Sequence, residues 1–143
     1  KIIEERQFQF PINMAMASAW IIANFKGMNI KIFDVSETSS LADYYLIGSA
    51  ANPNQARAMV DEILSNLKRH NLNSLSIEGL DTGDWVLLDM GDLIIHIFLE
   101  YTRDIFDLDT LWAKYEQLTI PNEYYMNSME VESASKDDSS GYF

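Results

Sequence analysis

Two apolar runs, Trp85-Val86-Leu87-Leu88 and Leu93-Ile94-Ile95-His96-Ile97-Phe98, flank the short polar break Asp89-Met90-Gly91-Asp92. That pattern predicts a tight β-hairpin, because glycine supplies the positive φ that a two-residue turn needs. With Met90-Gly91 as the turn, Asp89 faces Asp92, Leu87 faces Ile94 and Trp85 faces His96. Side chains alternate along a strand, so these pairs share one face with Phe98. The other face holds Val86, Leu88, Leu93, Ile95 and Ile97, all apolar. The all-apolar face reads as core. The mixed face sets a tryptophan, an imidazole and two carboxylates on one surface, with the acidic tip in solvent and Trp85 at the boundary. Burying Asp89 and Asp92 without partners would be too costly.

Elsewhere the pattern changes period. Asn13 is a plausible cap for a helix over about 14–26 carrying Ala15, Ala19, Trp20, Ile22 and Ala23, with Gly27 as its stop. Ile30 to Val35 and Tyr44 to Gly48 read as strands around a polar loop. Asn52-Pro53 opens a second helix in which Ala56, Met59, Val60, Ile63, Leu64 and Leu67 recur at helical spacing up to about His70. Leu75 to Glu78 is a short strand, and Asp107 can cap a last helix with Leu108, Leu111, Trp112 and Tyr115. The order α-β-β-α-β-β-β-α predicts a single α/β domain, a mixed five-stranded sheet packed with helices. Residues 1–13 read as an N-terminal extension able to add an edge strand through Phe8-Gln9-Phe10. Residues 14–116 are the domain, and 117–143 an acidic tail expected to be disordered.

At 143 residues the chain is long enough for its own core. No apolar stretch approaches the roughly 20 residues that cross a bilayer, so no membrane partner is expected. The absence of cysteine excludes disulfides, thiolate catalysis and cysteine-ligated zinc. It agrees with a reducing, cytoplasmic setting, and no transit or signal segment is visible. Net charge is −12. The extension is balanced, and the tail holds Glu123, Glu130, Glu132, Asp137 and Asp138 against Lys136, so most of the excess belongs to the body. Such a body repels phosphate backbones and favours a basic protein partner through faster encounter.

Catalytic sets are hard to assemble. His70 lies in the polar helix end Lys68-Arg69-His70-Asn71, where a cation suits the helix dipole. His96 has no serine at a motif-like spacing, and no Gly-x-Ser-x-Gly elbow exists. Asp92 and His96 stand about 13 Å apart on one strand, too far to share a metal ion's first shell. Asp89 with Asp92 alone would hold Mg²⁺ or Ca²⁺ weakly. Gly48-Ser49 after a strand is like the start of nucleotidyltransferase sites, but those require two acids alternating on one strand. Dinucleotide and phosphate-loop fingerprints are missing. Lys68, Arg69 and Arg57 are too sparse for a nucleic-acid patch. No catalytic, cofactor or metal site is expected, and the chain reads as non-enzymatic. A protein-binding surface fits better, with Trp85, Tyr45 and Phe98 as anchors and Asp89 and Asp92 as a polar rim.

Four blocks resemble the ribosomal silencing factor family (Iojap-related proteins). Asp34-Val35-Ser36 with Ser39-Ser40-Leu41-Ala42-Asp43-Tyr44-Tyr45-Leu46-Ile47 is the first, and Asn54-Gln55-Ala56-Arg57-Ala58 the second. Glu78-Gly79-Leu80-x-x-Gly83-x-Trp85-Val86-Leu87-Leu88-Asp89-x-Gly91-Asp92, running on to His96-Ile97-Phe98, is the third. Arg103-Asp104-Ile105-Phe106-Asp107-Leu108-Asp109-x-Leu111-Trp112 closes the set. The resemblance covers about residues 14–113. Met90 departs from the family's usual aromatic, and Tyr45 stands where phenylalanine is common.

The resemblance implies a nucleotidyltransferase-like fold that has lost catalysis. It implies a translational repressor that binds the large ribosomal subunit through a basic protein, the fourteenth of that subunit, and blocks joining of the small subunit when nutrients are limiting. It also implies that Trp85, Asp89, Asp92, His96 and Phe98, with Tyr45 adjacent, form the partner surface. A free homodimer through that face is a further expectation. A metal-dependent nucleotidyl enzyme using Asp89, Asp92 and Ser49 is the alternative.

Overall fold

The computed structural model describes residues 2–124, with side chains described from Pro11 onward. Its elements run α1 (Ile2–Asn24), β1 (Met28–Asp34), β2 (Tyr44–Ala50), α2 (Pro53–Arg69), β3 (Ser76–Glu78), β4 (Trp85–Asp89), β5 (Leu93–Leu99), α3 (Glu100–Phe106), α4 (Leu108–Leu111) and β6 (Glu116–Leu118). The sheet is six-stranded in the order β3-β4-β5-β2-β1-β6. β2 and β5 are parallel and the other neighbours antiparallel, so the sheet is mixed.

One face of the sheet makes the main core. Leu46, Val86, Leu88, Leu93, Ile95 and Ile97 pack there against α1 and against Ala56, Met59, Val60, Ile63 and Leu67 of α2. The alternation expected for the hairpin is therefore present, as is the helical spacing of α2. Asn52 caps α2, its Oδ1 accepting from the Gln55 amide at 2.8 Å. Gln55 in turn donates through Nε2 to the Phe25 carbonyl at 2.6 Å, tying the start of α2 to the end of α1. That end is a Schellman closure. Gly27 N–H donates to Ile22 O and Lys26 N–H to Ala23 O, and the left-handed residue is Lys26, at φ 66°.

Four expectations need correction. The sheet has six strands, not five, because Glu116–Leu118 adds to β1, with Ile32 opposite Leu118. Half-buried Leu118 packs on the core, which draws Gln117 and Leu118 out of the supposed tail and into the sheet. Half-buried Ile120 and Tyr124 pack on the same core, and the expected disorder from residue 125 onward lies outside the described residues. At the other end, residues 2–13 form no edge strand; α1 is continuous from Ile2 and passes through Pro11. A proline there forfeits one helix hydrogen bond, and local alternation at Phe8-Gln9-Phe10 does not prevail over the helix. Thirdly, the expected last helix is cut short at Leu111, and a helix that was not expected stands before it. A seven-residue α3 precedes it, and Asp107, at φ 49°, turns the chain without a side-chain cap into the four-residue α4.

The fourth correction is the hairpin register. Trp85 stands opposite Phe98, Leu87 opposite His96 and Asp89 opposite Ile94. The turn residues are Gly91-Asp92, closed by Met90 N–H donating to Leu93 O at 2.9 Å. Gly91 takes φ 88° as the first turn residue, and its N–H is held by Asp89 Oδ1 at 2.9 Å. The shift is two residues, so every side chain keeps its face.

Candidate functional site

The second face of the sheet carries a smaller cluster of Phe33, Val35, Ile47, Phe98 and Trp112, with Tyr45, Trp85, Leu108 and Tyr115 packed around it. Trp112 reaches this face from just after α4. Its ring lies 4.6 Å from Tyr45, 5.2 Å from His96 and edge-on to Phe33 at 5.7 Å. The α3–α4 segment thus covers only part of the face. Trp85, at the uncovered side, is half-buried.

Trp85 is fixed by three neighbours. Phe98 stacks beneath it at 4.6 Å with an interplanar angle of 27°. Phe106, from the end of α3, packs against it at 4.7 Å. His96 lies diagonal to it, and Trp85 Nε1–H donates to His96 Nδ1 at 3.0 Å. Accepting at Nδ1 requires the neutral ring, with its proton on Nε2. Burial enforces that state: with 6 % of its surface exposed, the imidazole is pushed down to about 4. The strand carrying Trp85 starts from a tight loop. Gly79, at φ 88°, sits so close that a Cβ would meet the Trp85 carbonyl oxygen at 2.0 Å. Arg57 braces the same loop, donating to Leu80 O and Asp81 O at 2.8 Å each.

The six residues expected at a partner surface are thus divided. Trp85 is partly accessible, and Tyr45 is half-buried on the same face but two strands away on β2, opposite Ile94 and under Trp112. Asp92 is exposed at the hairpin tip and Asp89 half-buried, its Oδ1 occupied by the turn. His96 and Phe98 are buried, Phe98 completely, and cannot themselves reach a partner. They form the floor on which Trp85 rests.

The nucleotidyl alternative requires Ser49 near Asp89 and Asp92. Ser49 lies opposite Phe98 in the parallel pair, whereas Asp92 precedes Leu93 at the other end. Five residues lie between that position and Asp92, so the separation along the strand is on the order of 20 Å. Ser49 Oγ instead accepts from Arg103 Nη1 at 2.9 Å. Among the described residues no three His, Asp or Glu side chains converge on a point able to hold a metal ion. His70 ends α2, exposed, with Nδ1 2.9 Å from Asn66 O.

A second constellation was not anticipated. Arg103, buried in α3, makes a two-pronged ion pair with Asp109 of α4: Nε to Oδ2 at 2.9 Å and Nη2 to Oδ1 at 2.8 Å. Lys31 Nζ adds a 2.9 Å contact to Asp109 Oδ1. The Arg103 hydrogen bonds, with help from Lys31, hold the Asp109 carboxyl well below the usual carboxylate range. The sequence signal was an arginine six residues before an aspartate, across a segment whose ends had to be brought back together.

Comparison with known proteins fits this architecture. The chain is similar to the ribosomal silencing factor of Haemophilus influenzae, 34 % identical over 88 residues that span 62 % of this chain and 86 % of that one. It is also similar to a mouse protein named mitochondrial assembly of ribosomal large subunit protein 1, 29 % identical over 73 % of this chain and 46 % of that protein. A crystal structure of a protein from Chromobacterium violaceum superposes with a TM-score of 0.66 at 26 % identity, over 78 % of this chain and 90 % of that one. The family described as "Ribosomal silencing factor during starvation" matches residues 10–141, and with its third sequence block built into this tryptophan-bearing hairpin, the chain belongs to that family.

Proposed function

We propose that this protein represses translation by docking on the large ribosomal subunit, through its basic fourteenth protein, and so excluding the small subunit. The observation that carries the reading is Trp85. It is a large aromatic left half-open on a rigid aromatic floor, in a chain of net charge −12. Tryptophan anchors of this kind dominate interface energetics when a rim excludes water around them. Asp92 at the tip, with Asp89 behind it, lies on the same hairpin and gives a basic partner an oppositely charged edge. Tyr45 extends the contact across the sheet, and His96 and Phe98 act from beneath by fixing the indole. Kinship with a mitochondrial large-subunit assembly protein supports the choice of subunit.

Docking by shape and charge needs no cofactor and no bond making. It silences by occupancy, so its strength is an equilibrium affinity rather than a rate of turnover. The apolar patch around Trp85 also offers a second copy of the chain a surface when ribosomes are absent. Sedimentation equilibrium of the free protein reads that homodimer directly.

The decisive experiment sediments purified large subunits with the protein at low and high salt, then adds small subunits. Co-sedimentation that weakens with salt, together with fewer joined ribosomes, is the expected outcome. Absence of binding at any salt would overturn the proposal.

A further inference from the structure

Beyond Trp85, the described residues expose an apolar ridge on α3 and α4. Ile105 is 58 % exposed, Phe106 53 % and Leu111 62 %. These side chains come from two very short helices joined at Asp107, whose left-handed backbone is unusual for a non-glycine residue. Helices of seven and four residues have little stability of their own. Their arrangement must be imposed from outside. The Arg103–Asp109 pair does this: it spans the Asp107 turn, closes with two parallel hydrogen bonds and is pinned to the sheet through Ser49 of β2 and Lys31 of β1.

We infer that the Arg103–Asp109 pair is a latch that holds the Ile105–Phe106–Leu111 ridge beside Trp85, and that this ridge is the second half of the surface meeting the basic ribosomal partner. The inference rests on the docking proposed above. Two observations choose that occupant. The ridge is continuous with the anchor, since the Phe106 ring packs on Trp85 at 4.7 Å. It is also edged by exposed Glu100, Asp104 and Asp107, which give it the same charge complementarity as the hairpin tip. Arg103 and Asp109 are positioning residues here, acting through Phe106. A two-pronged guanidinium–carboxylate pair suits that task because it fixes direction as well as distance.

The test uses the full chain and purified large subunits. Phe106→Ala and Leu111→Ala change exposed side chains, and each is expected to weaken binding about tenfold while leaving the thermal midpoint nearly unchanged. Asp109→Asn, which keeps the shape of the latch but removes its charge, is expected to weaken binding to a similar degree. The combination of Asp109→Asn with Phe106→Ala should then be no worse than either alone, because both disable one element. Arg103→Lys, which retains the charge but not the fork, should recover only part of the loss. Ridge variants that bind like the parent, or latch and ridge losses that simply multiply, would overturn the inference. Loss of binding by the parent protein would instead remove the docking reading on which it rests. If Asp109→Asn unfolds, the ridge variants alone decide: undiminished binding refutes the surface, and weakened binding sustains it.

Discussion

His96 shows how one buried side chain can orient a more exposed one, the Trp85 indole. Its Nδ1 accepts the Trp85 indole N–H, a hydrogen bond that exists only while the imidazole is neutral. Burial holds its pKa down to about 4, against an ordinary value of 6.5. Between those values the unfolded chain binds a proton that the folded chain refuses, so stability is full above about pH 6.5 and falls as pH drops toward 4. The gap corresponds to about 3 kcal/mol. Asp109 acts in a separate window: its lowered pKa contributes stability above the ordinary carboxylate range and loses it only as pH falls well below 4. Urea titrations from pH 7.5 to 4 should show a falling midpoint in the parent and a much flatter one in His96→Gln. An unchanged slope in the variant would assign the acid sensitivity elsewhere. Trp112 is the complementary case, buried against Phe33, Tyr45 and His96. Trp112→Ala should cost about 3–5 kcal/mol, as truncations of buried aromatics do. Trp85→Ala should cost less stability but about 2 kcal/mol or more of ribosome affinity. Calorimetric melting beside a binding assay separates the two tryptophans.

Elements were legible where their pattern is long or their punctuation chemical. α2 follows from Asn52-Pro53 and its apolar stripe, and the hairpin's two faces follow from strict alternation between Trp85 and Phe98. Register was not legible, because Met90-Gly91 and Gly91-Asp92 place the same residues on the same faces. Hydrogen bonding at Met90 and Asp89 makes the choice. β6 escaped notice because three residues with exposed Glu116 and Gln117 carry no periodicity; only pairing with β1 makes them a strand. For the site, Trp85 and the acidic tip could be named from sequence. The burial of His96 and Phe98 could not, since the covering Trp112 is brought onto them by the chain reversal at Asp107 between two short helices, which no periodicity announces. The glycines supply a graded check on these loops. Gly91→Ala meets only Leu75 at 3.7 Å and should cost about 1–2 kcal/mol for its positive φ. Gly79→Ala adds a backbone collision with the Trp85 carbonyl and should cost more, while also displacing the anchor. Equal costs by chemical denaturation would mean that the loop relaxes freely and does not aim Trp85.

Across the whole molecule the two faces of the sheet divide the labour. Helices α1 and α2 seal one face into a core, while the other is only partly covered, leaving Trp85 and the ridge beside it accessible. Charge acts over a longer range than either. In the proposed docking, a chain of net charge −12 approaching a basic surface gains encounter rate from attraction that salt screens over about 8–10 Å. In that proposal the indole acts after contact, through desolvated packing that salt barely affects, so charge and anchor should appear in different rate constants. Raising ionic strength should slow association with large subunits while leaving dissociation nearly constant. Trp85→Ala should speed dissociation and keep the salt slope of the parent. Asp92→Asn, at the exposed tip, should reduce that slope and leave dissociation almost unchanged. Surface-immobilised large subunits allow both constants to be read from one series. A Trp85 variant whose salt slope collapses would mean that anchor and charge are one device, contradicting the division that the structure suggests.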